Sequence, residues 1–409
     1  MLPAIGRPGV RMRRGNVRRL PEHRLSRYVA VLAALWLAAG WVNVARGAGH
    51  AGAGYRFWSF QHHCYSDIIA LHGDRYLGGG RPLPYVEDRI EYPPLLGLIL
   101  WAPSFLGRGA LLHFTVSYAF LAACLLVALW ALARTTGAEP YWLGATPALV
   151  YYAGLNWDLF PIALLALAVL ALERGRMAGA GTLAGAGVSA KVFPAVMVPA
   201  ALGALAAGRT PGSSLMRFCG AGIAVTALVN VPLAIVAWDG WSWFFRFNAG
   251  RGAENSLWHA LRIEPGPLLE VLSTAPLAVA AASGGWAAFQ VARRGEDAGR
   301  AVRLATALAL VVWVATNKIW SPQYALYGFL SGALAAAPLP AFLTLAAISV
   351  ADFHLAFQVR ALEWEPWFRD VVWHPGNVAR SVAWLLLAAW MARRLWAEAR
   401  GVEQETGRG

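Results

Sequence analysis

Five carboxylates fall between residues 67 and 91: Asp67, Asp74, Glu87, Asp88 and Glu91. They follow Cys64-Tyr65-Ser66 and run into Glu91-Tyr92-Pro93-Pro94, in a chain that is otherwise mostly hydrocarbon. A carboxylate in a partly desolvated loop binds its proton more tightly, which suits a general base that must take a proton from a hydroxyl. Asp67 is the first candidate. Asp74 comes seven residues later with apolar residues between, a spacing that puts both acids on one face of a surface helix. Solvated loop acids paired with Arg75 and Arg81 would give the same pattern without chemistry.

The cations are as telling. Of 35 basic residues only Lys191 and Lys318 are lysine. Lys191 interrupts the apolar run Gly179–Pro199. It is either a side chain snorkelling to the interface or a cation placed for an anionic head group, with Gly181, Gly185 and Gly187 allowing close helix packing around it. Lys318 opens the turn Trp320-Ser321-Pro322-Gln323-Tyr324, where an interfacial anchor is the alternative. Arg246 and Arg251 lie in Trp243–Gly252. Ionisable groups at membrane depth are costly and by default mark function. Fixed cations beside a carboxylate suit a substrate whose leaving group is a phosphate. His62-His63-Cys64 lacks the i, i+4 spacing of a helical metal site, so the spacing supports no metal, and no cofactor is expected. Gly78-Gly79-Gly80 precedes no Lys-Ser/Thr helix and reads as a turn. The three cysteines, Cys64, Cys124 and Cys219, are too scattered for a disulfide framework.

The elements that must position these residues are apolar helices. Hydrophobic residues make up 58% of the chain and charged ones 14%, with a mean hydropathy of +0.48. Soluble domains carry about 25% charge, so the chain falls in the membrane class, as its 20 Trp also suggest. The net charge of +13 sits mostly in short segments between apolar runs; that is the orienting bias of membrane insertion, with no basic domain for nucleic acid.

Residues 1–27, with eight arginines and one acid, read as a basic cytoplasmic tail. A first span covers about 28–45 and an external loop 46–91. Pro93-Pro94 then start a half-membrane or interfacial helix too short to cross ~30 Å of hydrocarbon. Apolar runs follow near 110–133, 140–155, 158–173, 177–190, 193–207, 218–237, 268–291, 301–316, 324–337, 340–356 and 378–395. The expectation is all-α, polytopic, with about twelve spans, both termini cytoplasmic, and a polar tail at 396–409. Arg134, Arg174, Arg209, Arg293 and Arg393 mark one side. The other side receives 46–91, Asn156-Trp157-Asp158, the Lys191 turn, 238–266, the Lys318 turn and 357–377. All the unusual polar motifs therefore share one face of the membrane.

Five motifs in order then resemble a known family: Tyr65-Ser66-Asp67; Glu91-Tyr92-Pro93-Pro94-Leu95; Asn156-Trp157-Asp158-Leu159; Ala190-Lys191-Val192-Phe193-Pro194; and Asn317-Lys318 with Ser321-Pro322-Gln323-Tyr324. This order is similar to that of the family-87 glycosyltransferases, GT-C type membrane enzymes that use polyprenyl-phosphate sugars, typically mannose. The resemblance covers residues 28 to 395. It implies a GT-C-like catalytic domain over 28–395, with the catalytic acid of the first external loop at Asp67. It implies inverting transfer, mannosyl by the usual family substrate, from a polyprenyl-phosphate sugar to a glycan or glycolipid hydroxyl at the outer face of the cell membrane. Lys191, Lys318, Arg246 and Arg251 are expected on the donor phosphate. Asp74, Glu91, Tyr92, Asn156, Asp158, Gln323 and Tyr324 are expected on substrate. The partners are then the lipid-linked donor, the acceptor and membrane lipid. Two other classes fit part of the pattern. A transporter or flippase would explain embedded charge but favours repeated halves, and no repeat is seen. An assembly protein would explain spans but not polar motifs on one face.

Overall fold

The computed structural model describes residues 22–76, 80–107, 109–207 and 211–401. Most of the basic tail assigned to 1–27, and Gly78-Gly79, lie outside them. The described residues are helical and form no strand, only two isolated bridges. Among the described residues six helices are long and apolar enough to cross a membrane by length and composition: Arg27–His50, Ala110–Arg134, Gly212–Val236, Pro267–Arg293, Gly299–Thr316 and Leu339–Ala361. The other expected runs are shorter helices, among them Leu159–Glu173, Met177–Ala190 and Ala325–Ala335, and the long final helix His374–Arg400. The polar tail expected from 396 in fact begins as the last turns of that final helix.

Burial sorts these helices. Gly299–Thr316 has 83% of its apolar window buried and is the centre of the bundle, whereas Gly212–Val236 has 0%. The latter turns Ile223, Leu228 and Ile235 outward, each at least 69% exposed. A continuous apolar face of that size is stable only against lipid or another apolar surface. The architecture is that of an all-α, multi-pass membrane protein.

Small residues set the helix spacing. A Cβ on Gly181 would lie 2.0 Å from Phe218 O, and one on Gly203 would lie 2.0 Å from Gly285 O. Only glycine permits that approach of two backbones.

The run 140–155, expected as one span, is broken. It holds two single turns, Tyr141–Gly144 and Leu149–Tyr152. Pro147 has no N–H to give and restricts Thr146 before it. The carbonyls of Gly154 and Leu155, in the turn that follows the second of these short helices, have a use described below. Pro94, by contrast, starts the short helix Pro94–Trp101 at its first position, as expected.

The bundle has two unlike ends. At one, arginines close the helix connections: Arg303 Nε donates to Leu334 O at 2.7 Å, Arg394 Nη1 to Ala335 O at 2.9 Å, and Arg294 Nη2 to Glu398 O at 2.6 Å. The central helix Gly299–Thr316 starts there, with Arg300 on Glu398 at 2.7 Å. It ends at the opposite end, where Thr316 O accepts from Trp258 Nε1 at 2.6 Å. The 46–91 segment, Asn156-Trp157-Asp158, the Lys191 turn and the Lys318 turn meet at that second end.

Candidate functional site

Asp67 is the first residue of the helix Asp67–Arg75. Ser66 caps the helix: its hydroxyl accepts from Ile68 N at 3.2 Å and donates to Gly154 O at 2.6 Å. The Asp67 N–H donates to Leu155 O at 2.8 Å. Two carbonyls at the end of the 140–155 segment thus anchor the helix start. This is not a free surface helix, because Ile68 through His72 are all buried.

Both oxygens of Asp67 are held. Tyr65 Oη donates to Oδ1 at 2.8 Å, and Asn156 Nδ2 donates to Oδ2 at 2.8 Å. Asn156 Nδ2 also lies 2.9 Å from Tyr92 Oη, while Asn156 Oδ1 accepts from Trp157 N at 2.6 Å. That last bond fixes which way the amide points. Each carboxylate oxygen keeps room for a further donor. Burial pushes the Asp67 carboxyl above the usual range; bonds from Tyr65 and Asn156 and the charge of Lys191 act in the other direction, and Glu91 adds to the rise. The helix N-terminus at Asp67 also favours the ionised form.

Behind Asp67 sits a second carboxylate. Asp158 is fully buried and forms an ion pair with Lys191 Nζ. Lys191 Nζ lies 5.8 Å from the Tyr92 ring, 5.7 Å from Tyr324 and 6.0 Å from Tyr327. Tyrosine faces stabilise such a cation where water is scarce. Gln323 is buried, accepts from Ser321 Oγ at 2.8 Å, and presents its amide to Asp158. Asp67, Tyr92, Asn156, Asp158, Lys191, Gln323 and Tyr324, singled out separately in the sequence, therefore form one cluster. Arg251 joins its edge, within electrostatic reach of Tyr92 and Tyr324. It is held by Glu254, Nε to Oε1 at 2.8 Å. Glu254 in turn ties this loop to the Lys318 turn, accepting from Trp320 N at 2.8 Å and donating to Lys318 O at 2.9 Å.

Three other expected residues turn elsewhere. Asp74 is at the far end of its helix, exposed and paired with Arg56 at 2.6 Å. The seven-residue spacing aligned the two acids angularly, but the helix axis separates them. Arg246 is exposed and pairs with Asp239 at 3.2 Å. Lys318 is buried against Glu270 at 2.6 Å rather than facing Asp67. Glu91 is intermediate: it pairs with Arg75 at 3.0 Å while still acting electrostatically on Asp67 and Tyr92.

Sequence reading missed Arg360. Its guanidinium lies 6.0 Å from both the Phe60 and Phe357 rings and 5.7 Å from Trp364. Phe60 and Phe357 in turn flank Tyr65, at 5.0 and 5.8 Å. Arg360 bonds to its own helix at Ala356 O, has no carboxylate partner among the described residues, and lies within electrostatic range of Asp67. The sequence signal was weak: an arginine at the tail of an apolar run, where the expected external segment 357–377 begins. Also missed was the support beneath the Lys318 turn. There Arg380 pairs with Asp352, lies 4.0 Å over the Trp320 ring and donates to Asn255 O at 2.7 Å, and Trp320 Nε1 donates to Asp352 Oδ2 at 2.9 Å. His63 Nδ1 contacts His354 Nδ1 at 2.7 Å, and among the described residues no three His, Cys, Asp or Glu side chains are grouped to hold a metal.

Fold and site together define a multi-pass helical membrane protein with a partly buried, hydrogen-bonded carboxylate and a caged lysine at one end of its bundle. No family model and no curated protein matches the chain. Two solved structures are similar to it. One is the crystal structure of ArnT from Cupriavidus metallidurans bound to undecaprenyl phosphate, at 13% identity and a TM-score of 0.45, covering 92% of this chain and 78% of that one. The other is ArnT from the same organism in the apo state, at 15% identity and a TM-score of 0.43 with the same coverage.

Proposed function

We propose that the protein is a membrane glycosyltransferase of GT-C type. It would move a sugar, mannose by the family resemblance, from a polyprenyl phosphate to a hydroxyl of a glycan or glycolipid at the external face of the cell membrane. The acceptor oxygen attacks the anomeric carbon as its proton passes to Asp67. The bond from that carbon to the phosphate oxygen breaks on the opposite side, inverting the centre, and the polyprenyl phosphate leaves with the electron pair. Tyr65 and Asn156 orient the carboxylate. Lys191 and Arg360, with Arg251 at the edge, are the cations that receive the phosphate charge.

One observation carries this reading: Asp67 has an oriented donor on each oxygen, lone pairs left to accept a further one, and burial that makes it a better base. Arg360 adds a cation that makes no direct ion pair with a carboxylate among the described residues and lies within electrostatic reach of Asp67. The test is Asp67→Asn, purified alongside the wild type and given radiolabelled polyprenyl-phosphate mannose with candidate glycolipids. The variant should insert and elute as the wild type does, with transfer lowered by about 10³-fold or more, the upper part of the range for one proton-transfer group together with its orienting bonds. Wild-type rates would remove the base assignment. Labelled donors carrying other sugars decide the sugar.

A further inference from the structure

Beside the cluster, on the same end of the bundle, a cavity of about 450 Å³ opens between the loop 252–265 and the start of the final helix. That is within the size range of small-ligand sites. Its polar wall consists of His259, Arg262, Glu264, Arg369, Asp370 and His374. Arg369 and Asp370 make a two-bond fork, Nε to Oδ1 at 2.9 Å and Nη2 to Oδ2 at 3.0 Å. Arg262 reaches the same carboxylate at 3.6 Å, as does His374 Nε2. The His259 and His374 rings stand edge to face at 5.1 Å.

The backbone here departs from regular form. Arg369–Trp373 is a π-helical turn. Asn255, Arg262, Glu363 and Trp364 all have φ between 49° and 63°, in the left-handed region where side chains other than glycine are strained. Such departures gather at functional sites because something must repay them. The Nδ1 atoms of His259 and His374 are buried without a hydrogen-bond partner among the described residues.

The cavity is also joined to Asp67 through side-chain contacts. His259 lies 6.2 Å from the Trp364 ring, Trp364 lies 5.7 Å from the Arg360 guanidinium, and Arg360 flanks Phe60 and Phe357, which hold Tyr65. Charge selects the ligand. Two arginines face two carboxylates. Burial pushes both imidazoles below their ordinary value, with Asp370 opposing this at His374 and Glu254 opposing it at His259. The wall, with Arg262 and Arg369 against Glu264 and Asp370, is therefore close to net neutral in formal charge and rich in planar donors and acceptors. Vicinal hydroxyls match such a wall; a phosphate does not.

We propose that this cavity is a binding cleft for neutral carbohydrate, holding the part of the acceptor glycan that lies beyond the reacting hydroxyl. The acceptor role rests on the transferase reading; carbohydrate binding by the cleft does not.

The test is saturation-transfer NMR on the full chain in nanodiscs, with mannose, glucose and N-acetylglucosamine disaccharides and mannose 6-phosphate as probes. At least one neutral disaccharide should bind. Arg369→Ala and His259→Ala should each weaken that binding at least tenfold. Arg369→Lys keeps the charge but not the planar fork and should also weaken it, so a variant that fails to fold does not decide the matter. Asp67→Asn should bind as the wild type does. Absence of saturation transfer to every neutral sugar, unchanged binding in Arg369→Lys and His259→Ala, or a preference for mannose 6-phosphate would each overturn the proposal. If Asp67→Asn keeps full transfer while Arg369→Lys still loses sugar binding, the mechanism fails and the cleft stands.

Discussion

The two ends of the bundle use arginine in different ways. At the end rich in basic turns, Arg294, Arg303 and Arg394 donate to the carbonyls of Glu398, Leu334 and Ala335. Those carbonyls lie in the last turns of their helices, where backbone partners run short, although Glu398 O also accepts from Gly401 N at 3.1 Å. A positive charge there also suits the helix dipole. That end also has ion pairs, Arg300 with Glu398 and Arg294 with Glu296. At the other end, buried and half-buried cations meet carboxylates and aromatic faces: Lys191 with Asp158 and three tyrosines, Arg380 with Asp352 and Trp320, and Arg360 with rings and no direct carboxylate pair among the described residues. The first pattern finishes a fold. The second spends desolvation on fixed charge, which proteins retain in membranes mainly where a substrate needs it.

The contrast predicts a graded set of outcomes. Lys191→Ala should have the largest effect. It strands Asp158 in the interior, which costs about 3–5 kcal/mol when one partner of a buried pair is removed. It should also slow transfer about 10²-fold or more. Adding Asp158→Asn should restore the melting temperature in detergent without restoring the rate. Recovery of both would make the pair structural, like the opposite end.

Tyr65→Phe comes next. In the proposed mechanism transfer needs ionised Asp67, so the rate should fall as pH drops through the Asp67 pKa. Tyr65 favours the ionised form, so its loss raises that pKa and moves the acid limb to higher pH. A hydrogen bond to a charged group is worth about 1.5–3 kcal/mol, so the limb should move upward measurably. A pH–rate profile for kcat/KM reads this directly, and an unmoved limb would detach Asp67 from the reaction.

Arg303→Ala should destabilise by about 1–3 kcal/mol for each carbonyl left unsatisfied. The rate per folded molecule should stay unchanged, and the thermal shift compared with the transfer rate sharpens the contrast between ends. The smallest effects belong to Arg246→Ala and Asp74→Asn. Their partners are exposed, so each should change stability by less than about 1 kcal/mol and leave the rate alone. A large loss of rate in either would return that residue to the site.

Much of the site was legible because the motifs were strings of neighbours. Asn156 and Asp158 share one short turn, as do Gln323 and Tyr324, so recognising the turn recognised both side chains. Asp74, Arg246 and Lys318 misled because each has a nearer partner of opposite charge, Arg56, Asp239 and Glu270, that only folding supplies. Arg360 was hidden by its place at the tail of an apolar run.

Composition and hydropathy by themselves settled that this chain is a helical membrane protein. Apolar length and the placement of charge depend on residue type alone, and a bilayer responds to nothing more detailed. The order of the polar turns along the chain settled which of them share an end. What folding alone decided was pairing: that Asn156 meets Asp67, that Lys191 is answered by Asp158, and that carbonyls at the end of the 140–155 run hold the start of the Asp67 helix. Those choices follow from which backbone and side-chain groups come within about 3 Å of each other across the bundle, and no local pattern encodes such distances.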